Sequence, residues 1–269
     1  MDHPRLVAFD LDDTLAESKA PISAEMAQAL GDLLAQVPVC VISGGMWSQI
    51  ARQVVDNLPP DAPLTNLHLM PTCGTRYLRH DGTAWHEVYS HPLDPGLRRR
   101  AIESLERRAR ELGLWEPDDA VWGDRIEDRG SQITFSALGQ RAPAAAKRAW
   151  DPTGAKRLAL RAAVAADVPE LSVRAGGSTS IDITEAGVDK AFGLTRLTQT
   201  TGIPAAAMLF FGDRLDEGGN DYPVTRIGMP VRSVTGPEDT LQQVRALTAQ
   251  LAGPPVDATS PVRPDVEVP

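Results

Sequence analysis

The sequence predicts an α/β protein, a parallel-sheet core interrupted by an inserted α+β module. Three observations carry that prediction. Up to about residue 75, short apolar runs alternate with amphipathic stretches, the order that lays helices over a parallel sheet. Between residues 86 and 186, stretches that alternate apolar and polar take over, and after residue 186 the first pattern returns. The length of 269 residues agrees, since it exceeds that of a common single domain.

The elements follow in order. Leu6 to Phe9 is a short buried strand. Ser23 to Gln36 is a helix with Ser23 as N-cap and Met26, Leu30, Leu33 and Leu34 on one face. Val37 to Ser43 is a second strand, and Trp47, Ile50, Ala51, Val54, Val55 and Leu58 recur at helical spacing. "TRYLRHDGTAWHEVY" reads as a hairpin turning at Asp81-Gly82. Asp94-Pro95 opens a helix that buries Leu97, Ala101, Ile102, Leu105, Ala109 and Leu112 and stops at Gly113. Two alternating segments, "RIEDRGSQITFSAL" and "LSVRAGGSTSIDIT", flank one alanine-rich helix expected over 144–166. "DKAFGLTRLTQTTG" is helical, "AMLFFGD" is a strand ending in an aspartate, Val231 to Val234 is a strand, and Pro237 begins a last helix. The expected division is 1–85 and 187–251 for the core and 86–186 for the module. The stretch 252–269, with five prolines and no apolar period, is expected to be a disordered tail.

Composition excludes several classes. Against 27 basic residues stand 36 acidic ones, a net charge of −9 with a pI near 5.1, which argues against a nucleic-acid or anionic-membrane surface. The basic run from Arg98 to Arg110 is read as a solvated helix face. Two cysteines, Cys40 and Cys73, show no metal-ligand spacing and suit a reducing cytoplasm. No apolar run approaches the roughly 20 residues of a membrane helix, and the N-terminus lacks the pattern of a signal peptide. A soluble cytoplasmic protein is expected, with no membrane partner.

Chemistry concentrates at the expected carboxyl ends of the strands, where an open sheet binds ligands. "DLDDT" follows the first strand, "SGG" from Ser43 the second, "DK" at Asp189 and Lys190 opens a helix, and "GD" at Asp213 leads to "GGND" ending at Asp221. In an extended segment residues i and i+2 point the same way, so Asp10 and Asp12 share a crevice while Asp13 turns aside. Paired carboxylates repel, and a divalent cation shared with Asp213 offsets that; oxygen ligands suit Mg²⁺. A carboxylate beside Mg²⁺ can attack a phosphoryl group. Lys190 then stabilises its charge, and the Ser43 hydroxyl with the backbone amide of Gly44 holds its oxygens. Taken singly each motif is an ordinary turn; together, at successive sheet edges, they are not.

These four motifs resemble those of the haloacid dehalogenase superfamily, in the branch whose large α/β cap lies between the second and third motifs. Within that branch, "LMPTCGTRYLRHDG", "IEDRG", "GGSTSIDIT", "VDKAFGL", "FFGDRLDEGGNDY" and "TGPEDT" are similar to the eukaryotic-type phosphomannomutases, from about Val7 to Leu251. The resemblance implies a Rossmann-like parallel-sheet core with an inserted α+β cap domain. It implies Asp10 as nucleophile, Asp12 as general acid/base, and Mg²⁺ bound by Asp10, the carbonyl of Asp12 and Asp213, with Asp221 close by. In the cap, Arg129, Ser180 and Asp182 match positions that hold the sugar phosphate. Three further positions, arginine in those enzymes, are Lys19, Gln140 and Lys147 here.

Bidentate arginines suit the grip on a bisphosphate intermediate better than lysine or glutamine. The expectation is therefore a Mg²⁺-dependent phosphatase acting on a small sugar phosphate, a hexose phosphate, through an aspartyl phosphate on Asp10. A phosphomannomutase-type mutase is the alternative, and a sugar-phosphate sensor without turnover is a third. The expected partner is a small phosphorylated metabolite; pairing of caps into a homodimer stays open.

Overall fold

A computed structural model describes residues 3–176 and 179–253. Its larger sheet has the order β11-β10-β1-β2-β3-β4-β5. β1 (Leu6–Phe9), β2 (Val39–Ile42), β3 (Leu67–Met70), β10 (Met208–Gly212) and β11 (Val231–Ser233) run parallel, while β4 (Arg76–His80) and β5 (Trp85–Ser90) form an antiparallel edge hairpin. Every residue of β1, β2, β3 and β10 is buried, as strands covered on both faces require. Phe9 lies opposite Val41 and Phe211, with its ring stacked 4.9 Å from that of Phe211.

Helices α1 (Ala24–Leu34) and α7 (Pro237–Leu251) cover one face through Met26, Leu30, Leu33, Val244 and Leu247. Ser23 starts α1 as expected, its hydroxyl accepting from the Met26 amide at 3.1 Å. α2 (Trp47–Gln53) lies on the same side, and α6 (Lys190–Thr201) covers the opposite face with Leu194 and Leu197.

The second sheet is antiparallel, β6 (Ile126–Asp128), β7 (Gln132–Ser136), β9 (Ser180–Glu185) and β8 (Leu171–Ala175) in spatial order. Its period-two pattern gives it two unlike faces. Ile133, Phe135, Val173, Ile181 and Ile183 pack against Ala101, Leu105 and Ala109 of α3 (Pro95–Glu111) and against Leu160 and Val164 of α5 (Ala155–Asp167). The other face carries Thr134, Asp182 and Arg174, whose Nη2 lies 3.9 Å from Asp189 Oδ2.

Three expectations are corrected. The alanine-rich helix is two helices, α4 (Ala144–Trp150) and α5. Pro152 and the left-handed Gly154, φ +77°, break it, and the Asp151 carboxylate caps the new start by accepting from the Lys156 and Arg157 amides. α2 ends early, at Gln53, and a 3-10 turn spans Val55–Asn57; Pro59 holds Leu58 extended. Pairing of β5 with β4 continues to Ser90, five residues beyond the expected boundary of 85/86.

The chain leaves for the cap at His91 and returns at Gly187, and the two crossings touch: His91 Nε2 lies 2.7 Å from Glu185 Oε2. The expected tail lies outside the described residues from 254 onward. Among the described residues no helix is long and apolar enough to cross a membrane.

Candidate active site

Asp10 follows β1 directly, its amide bonded to the Phe211 carbonyl of β10 at 3.0 Å. Its carboxylate Oδ1 accepts from the Leu11 amide at 2.7 Å and lies 2.6 Å from Lys190 Nζ. Lys190 opens α6, whose N-cap Asp189 accepts from the Phe192 amide at 3.0 Å. The same ammonium donates to Asp221 Oδ1 at 2.5 Å, and Asp221 Oδ2 accepts from the Arg214 amide at 3.1 Å. Asp10, Lys190 and Asp221 are all buried. Asp213, at the end of β10, accepts from the Thr14 hydroxyl at 3.3 Å. The approach of Asp221 to the end of β10 needs Gly212, since a Cβ there would meet Asp221 Oδ2 at 2.5 Å.

Carboxylate oxygens of Asp10, Asp213 and Asp221 all lie within 4.8 Å of one another. Burial raises Asp10, and Asp221 adds to that, while Lys190 opposes both. Asp213 is raised by burial and then by Asp221. Burial also works against the Lys190 ammonium, but Asp10 and Asp221 outweigh it and hold that group above its usual value. One ammonium thus faces three carboxylates. The donor set, hard oxygens at close range with excess negative charge, fits a divalent cation such as Mg²⁺.

The Asp12 carboxylate, expected to share a crevice with Asp10, faces the Lys19 loop and α2 instead of the acidic cluster. Its Oδ1 accepts from the Lys19 amide at 2.7 Å and Gln53 Nε2 at 3.3 Å, and its Oδ2 accepts from Gln49 Nε2 at 3.3 Å. It lies outside the acidic cluster, which leaves its backbone carbonyl as the group to offer a metal. Gln53 also donates to the Ala20 carbonyl at 2.8 Å and so fastens the loop that carries Lys19. Sequence reasoning missed both glutamines. The available signal was their i, i+4 spacing, which puts two amides on one face of α2. Asp13, with φ +61°, accepts from the Ser18 amide and is a turn residue, as expected.

Ser43 follows β2, and its buried hydroxyl accepts from the Gly45 amide at 3.0 Å. Among the described residues the N–H groups of Asp12 and Gly44 make no hydrogen bond. A left-handed knuckle braces this turn. Thr72, Cys73 and Gly74 have φ of +50°, +56° and +80°, the Cys73 amide donates to the Ser43 carbonyl, and the Thr72 amide donates to that of Gly45. Gly74 in turn presses on Gly193 of α6: a Cβ on Gly74 would lie 2.4 Å from the Gly193 Cα. The contact locks the Ser43 turn to the helix of Lys190.

The cap closes over this end. Arg129 donates through Nη1 to the Gly44 carbonyl at 2.8 Å, and through Nε and Nη2 to Glu127 Oε2 at 3.0 and 2.6 Å. Lys147 Nζ donates to the Gln140 carbonyl at 3.1 Å and stands beside the ammonium of Lys19, which the core supplies. Burial, and next to it Lys19, push Lys147 down to about 8. Gln140 Nε2 is buried without a hydrogen-bond partner among the described residues. Asp182 Oδ1 accepts from the Thr134 hydroxyl at 2.7 Å and Gln132 Nε2 at 3.0 Å, and Ser180 lies opposite Ser136 one row away. Burial pushes the Cys73 thiol up to about 11, and it feels Lys190, Asp182, Arg174 and Asp10. It therefore sits protonated in the cleft between nucleophile and cap.

The structure thus assembles three groups from the expected residues. Asp10, Lys190, Asp213 and Asp221 form the first, Ser43, Gly44 and Arg129 the second, and Lys19, Gln140 and Lys147 the third. Ser180 and Asp182 line the cap wall, and Asp12 joins the third group through the Lys19 amide.

Known proteins resemble this chain in sequence and fold. The family model described as eukaryotic phosphomannomutase matches residues 123–250. A phosphomannomutase of Arabidopsis thaliana is 30% identical over 255 residues, covering 91% of this chain and 97% of its own length. Human phosphomannomutase 1 is 24% identical, over 90% of this chain and 91% of its own. Among solved structures, an N-terminally truncated Plasmodium falciparum IMP-nucleotidase superposes with a TM-score of 0.64 at 15% identity, covering 94% of this chain and 71% of that one. An Aspergillus fumigatus trehalose-6-phosphate phosphatase gives 0.55 at 19% identity, with 92% and 93% covered. At such identity the two structures speak for the fold alone. The match to the plant enzyme runs nearly end to end and includes both core and cap. This chain belongs to the eukaryotic phosphomannomutase family of the haloacid dehalogenase superfamily and is a phosphoryl-transfer enzyme.

Proposed function

We propose that the chain is a Mg²⁺-dependent hexose-phosphate mutase of phosphomannomutase type. The observation that carries this is the third group, where Lys19 from the core and Lys147 from the cap bring two ammonium groups together and Lys147 donates to the Gln140 carbonyl. Lysines in place of arginines argued for hydrolysis in the sequence. Meeting across the cleft, they supply the charge that holds a second phosphate while the sugar turns, and full-length relatives named phosphomannomutase support the same reading.

In this reading Asp10 attacks the phosphorus of a hexose bisphosphate, the bond to the sugar oxygen breaks, and Asp12 gives its proton to that oxygen. The hexose monophosphate so formed leaves, and the isomeric hexose monophosphate enters and presents its free hydroxyl. Asp12 takes that proton as the oxygen attacks the aspartyl phosphate, which regenerates Asp10. The free N–H groups of Asp12 and Gly44 and the Lys190 ammonium stabilise the oxygens of the transferring group. Mg²⁺, held by Asp10, Asp213 and the Asp12 carbonyl with Asp221 behind, would neutralise charge on that group.

Hydrolysis is the second reading, favoured by the point charges and the amide that stand where bidentate groups would grip more firmly. Purified protein with Mg²⁺ and a hexose 1,6-bisphosphate is expected to interconvert mannose 1- and 6-phosphates faster than it liberates phosphate. The opposite ranking selects the phosphatase. Asp10→Asn is expected to silence both reactions, and turnover that survives in that variant would remove Asp10 as nucleophile.

A further inference from the structure

On the polar face of the cap sheet, Arg174 of β8 lies directly opposite Asp182 of β9, which lies opposite Thr134, which lies opposite Glu127. The four form one row across the sheet. Glu127 is taken by Arg129, and Thr134 by Asp182. Arg174, with 46% of its side chain exposed, is less committed. Its Nε donates to the Ser172 hydroxyl at 3.1 Å, and its Nη2 lies 3.9 Å from Asp189 Oδ2, beyond hydrogen-bond reach. Among the described residues its two terminal nitrogens make no hydrogen bond. Asp189 is the N-cap of the helix that begins at Lys190, so the guanidinium stands on the side of the cap sheet that faces the catalytic lysine, and its charge acts on the Cys73 thiol as do those of Lys190 and Asp10.

The other cations of the cap wall are otherwise engaged. Arg129 spends its donors on Glu127 and the Gly44 carbonyl, and Lys147 loses its proton near pH 8. Arg174 offers a planar fork of donors whose geometry matches a phosphate. Resting on the mutase reading, we propose that Arg174 is a specificity-determining residue, whose terminal nitrogens engage a phosphate of the sugar bisphosphate beside Asp182. It belongs to none of the motifs on which the family resemblance stands, and it offsets in part the weaker grip of Lys19, Gln140 and Lys147.

The test uses p-nitrophenyl phosphate as substrate, which carries one phosphate and no sugar, and glucose 1,6-bisphosphate as competitive inhibitor. Arg174→Ala is expected to raise the Ki of the bisphosphate roughly tenfold or more relative to the KM of p-nitrophenyl phosphate. Arg174→Lys should recover only part, because an ammonium lacks the fork. A Ki to KM ratio within about twofold of the parent overturns the proposal. So does an equal rise in both constants, which assigns Arg174 to holding the cap against Asp189. A melting temperature equal to the parent's confirms that each variant folds. If the bisphosphate inhibits the parent and Arg174→Ala weakens it, yet mannose phosphates are not interconverted, the mutase reading fails and the role of Arg174 stands. A parent that the bisphosphate does not inhibit removes both.

Discussion

Lys147 shows how a single side chain reports the cleft. Burial and the adjacent Lys19 hold it near 8, below the ordinary lysine value. The sign follows directly. A lysine depressed in the folded state is a cost to folding while it is charged, below about 8, and the cost fades above it. A bound phosphate dianion relieves that repulsion, so affinity falls as pH rises through about 8 and the ammonium is lost. The apparent affinity for glucose 1,6-bisphosphate is expected to weaken between about pH 7 and 9, and Lys147→Arg should flatten the profile because a guanidinium stays charged. Inhibition constants measured across that range check both. At this scale the sequence was most legible where motif and chemistry coincide, at Asp10, Lys190, Asp213 and Asp221. It was silent on Gln49, Gln53 and Arg174. Their importance lies in what faces them across the fold, and a neutral amide or an exposed arginine carries no local mark of that.

The elements hold these side chains through close backbone approach. Gly193 of α6 sits on the knuckle so tightly that a Cβ there would meet the Cys73 carbonyl and Ile42 Cδ1 at 2.7 Å and the Gly74 Cα at 2.9 Å. Gly193→Ala must push α6 outward. It is expected to destabilise the fold by ~1–3 kcal/mol, seen as a lower urea midpoint, and to reduce turnover through displacement of Lys190. The sequence predicted α1 and α3 because an apolar stripe and a capping signal agree in each. It overran at α4 and α5, where alanine propensity masked the Asp-Pro-Thr-Gly break. "GPEDT", which helped to carry the resemblance, is here a helix start: Pro237 occupies the first turn of α7 and Asp239 accepts from the Thr235 amide at 2.9 Å. The knuckle had no sequence signature, since threonine and cysteine do not favour φ above zero.

For the whole molecule, three carboxylates around one ammonium make the core short of positive charge. On the proposed reading Mg²⁺ binds the folded chain and not the unfolded one, so it is expected to raise the melting temperature. Asp213→Asn should lose most of that rise yet, without added cation, melt no lower than the parent, because it relieves repulsion while keeping an oxygen for Thr14. Thermal melts with Mg²⁺ and with a chelator decide this. The return of the α/β pattern after residue 186 made the two-part architecture legible, and the period-two stretches identified the cap sheet. The closure of one part on the other was not legible, because it rests on contacts such as Arg129 with Gly44 that join residues 85 apart.

The paired crossings at His91 and Glu185 have a mechanical consequence. A body on one tether can twist, tilt and slide, whereas a body on two tethers fastened side by side keeps one easy motion, a swing about the line through both. On the mutase reading, such a swing lifts the cap for the sugar to turn over without drifting from its register above Asp10. Whichever phosphate comes round next meets the same wall of side chains.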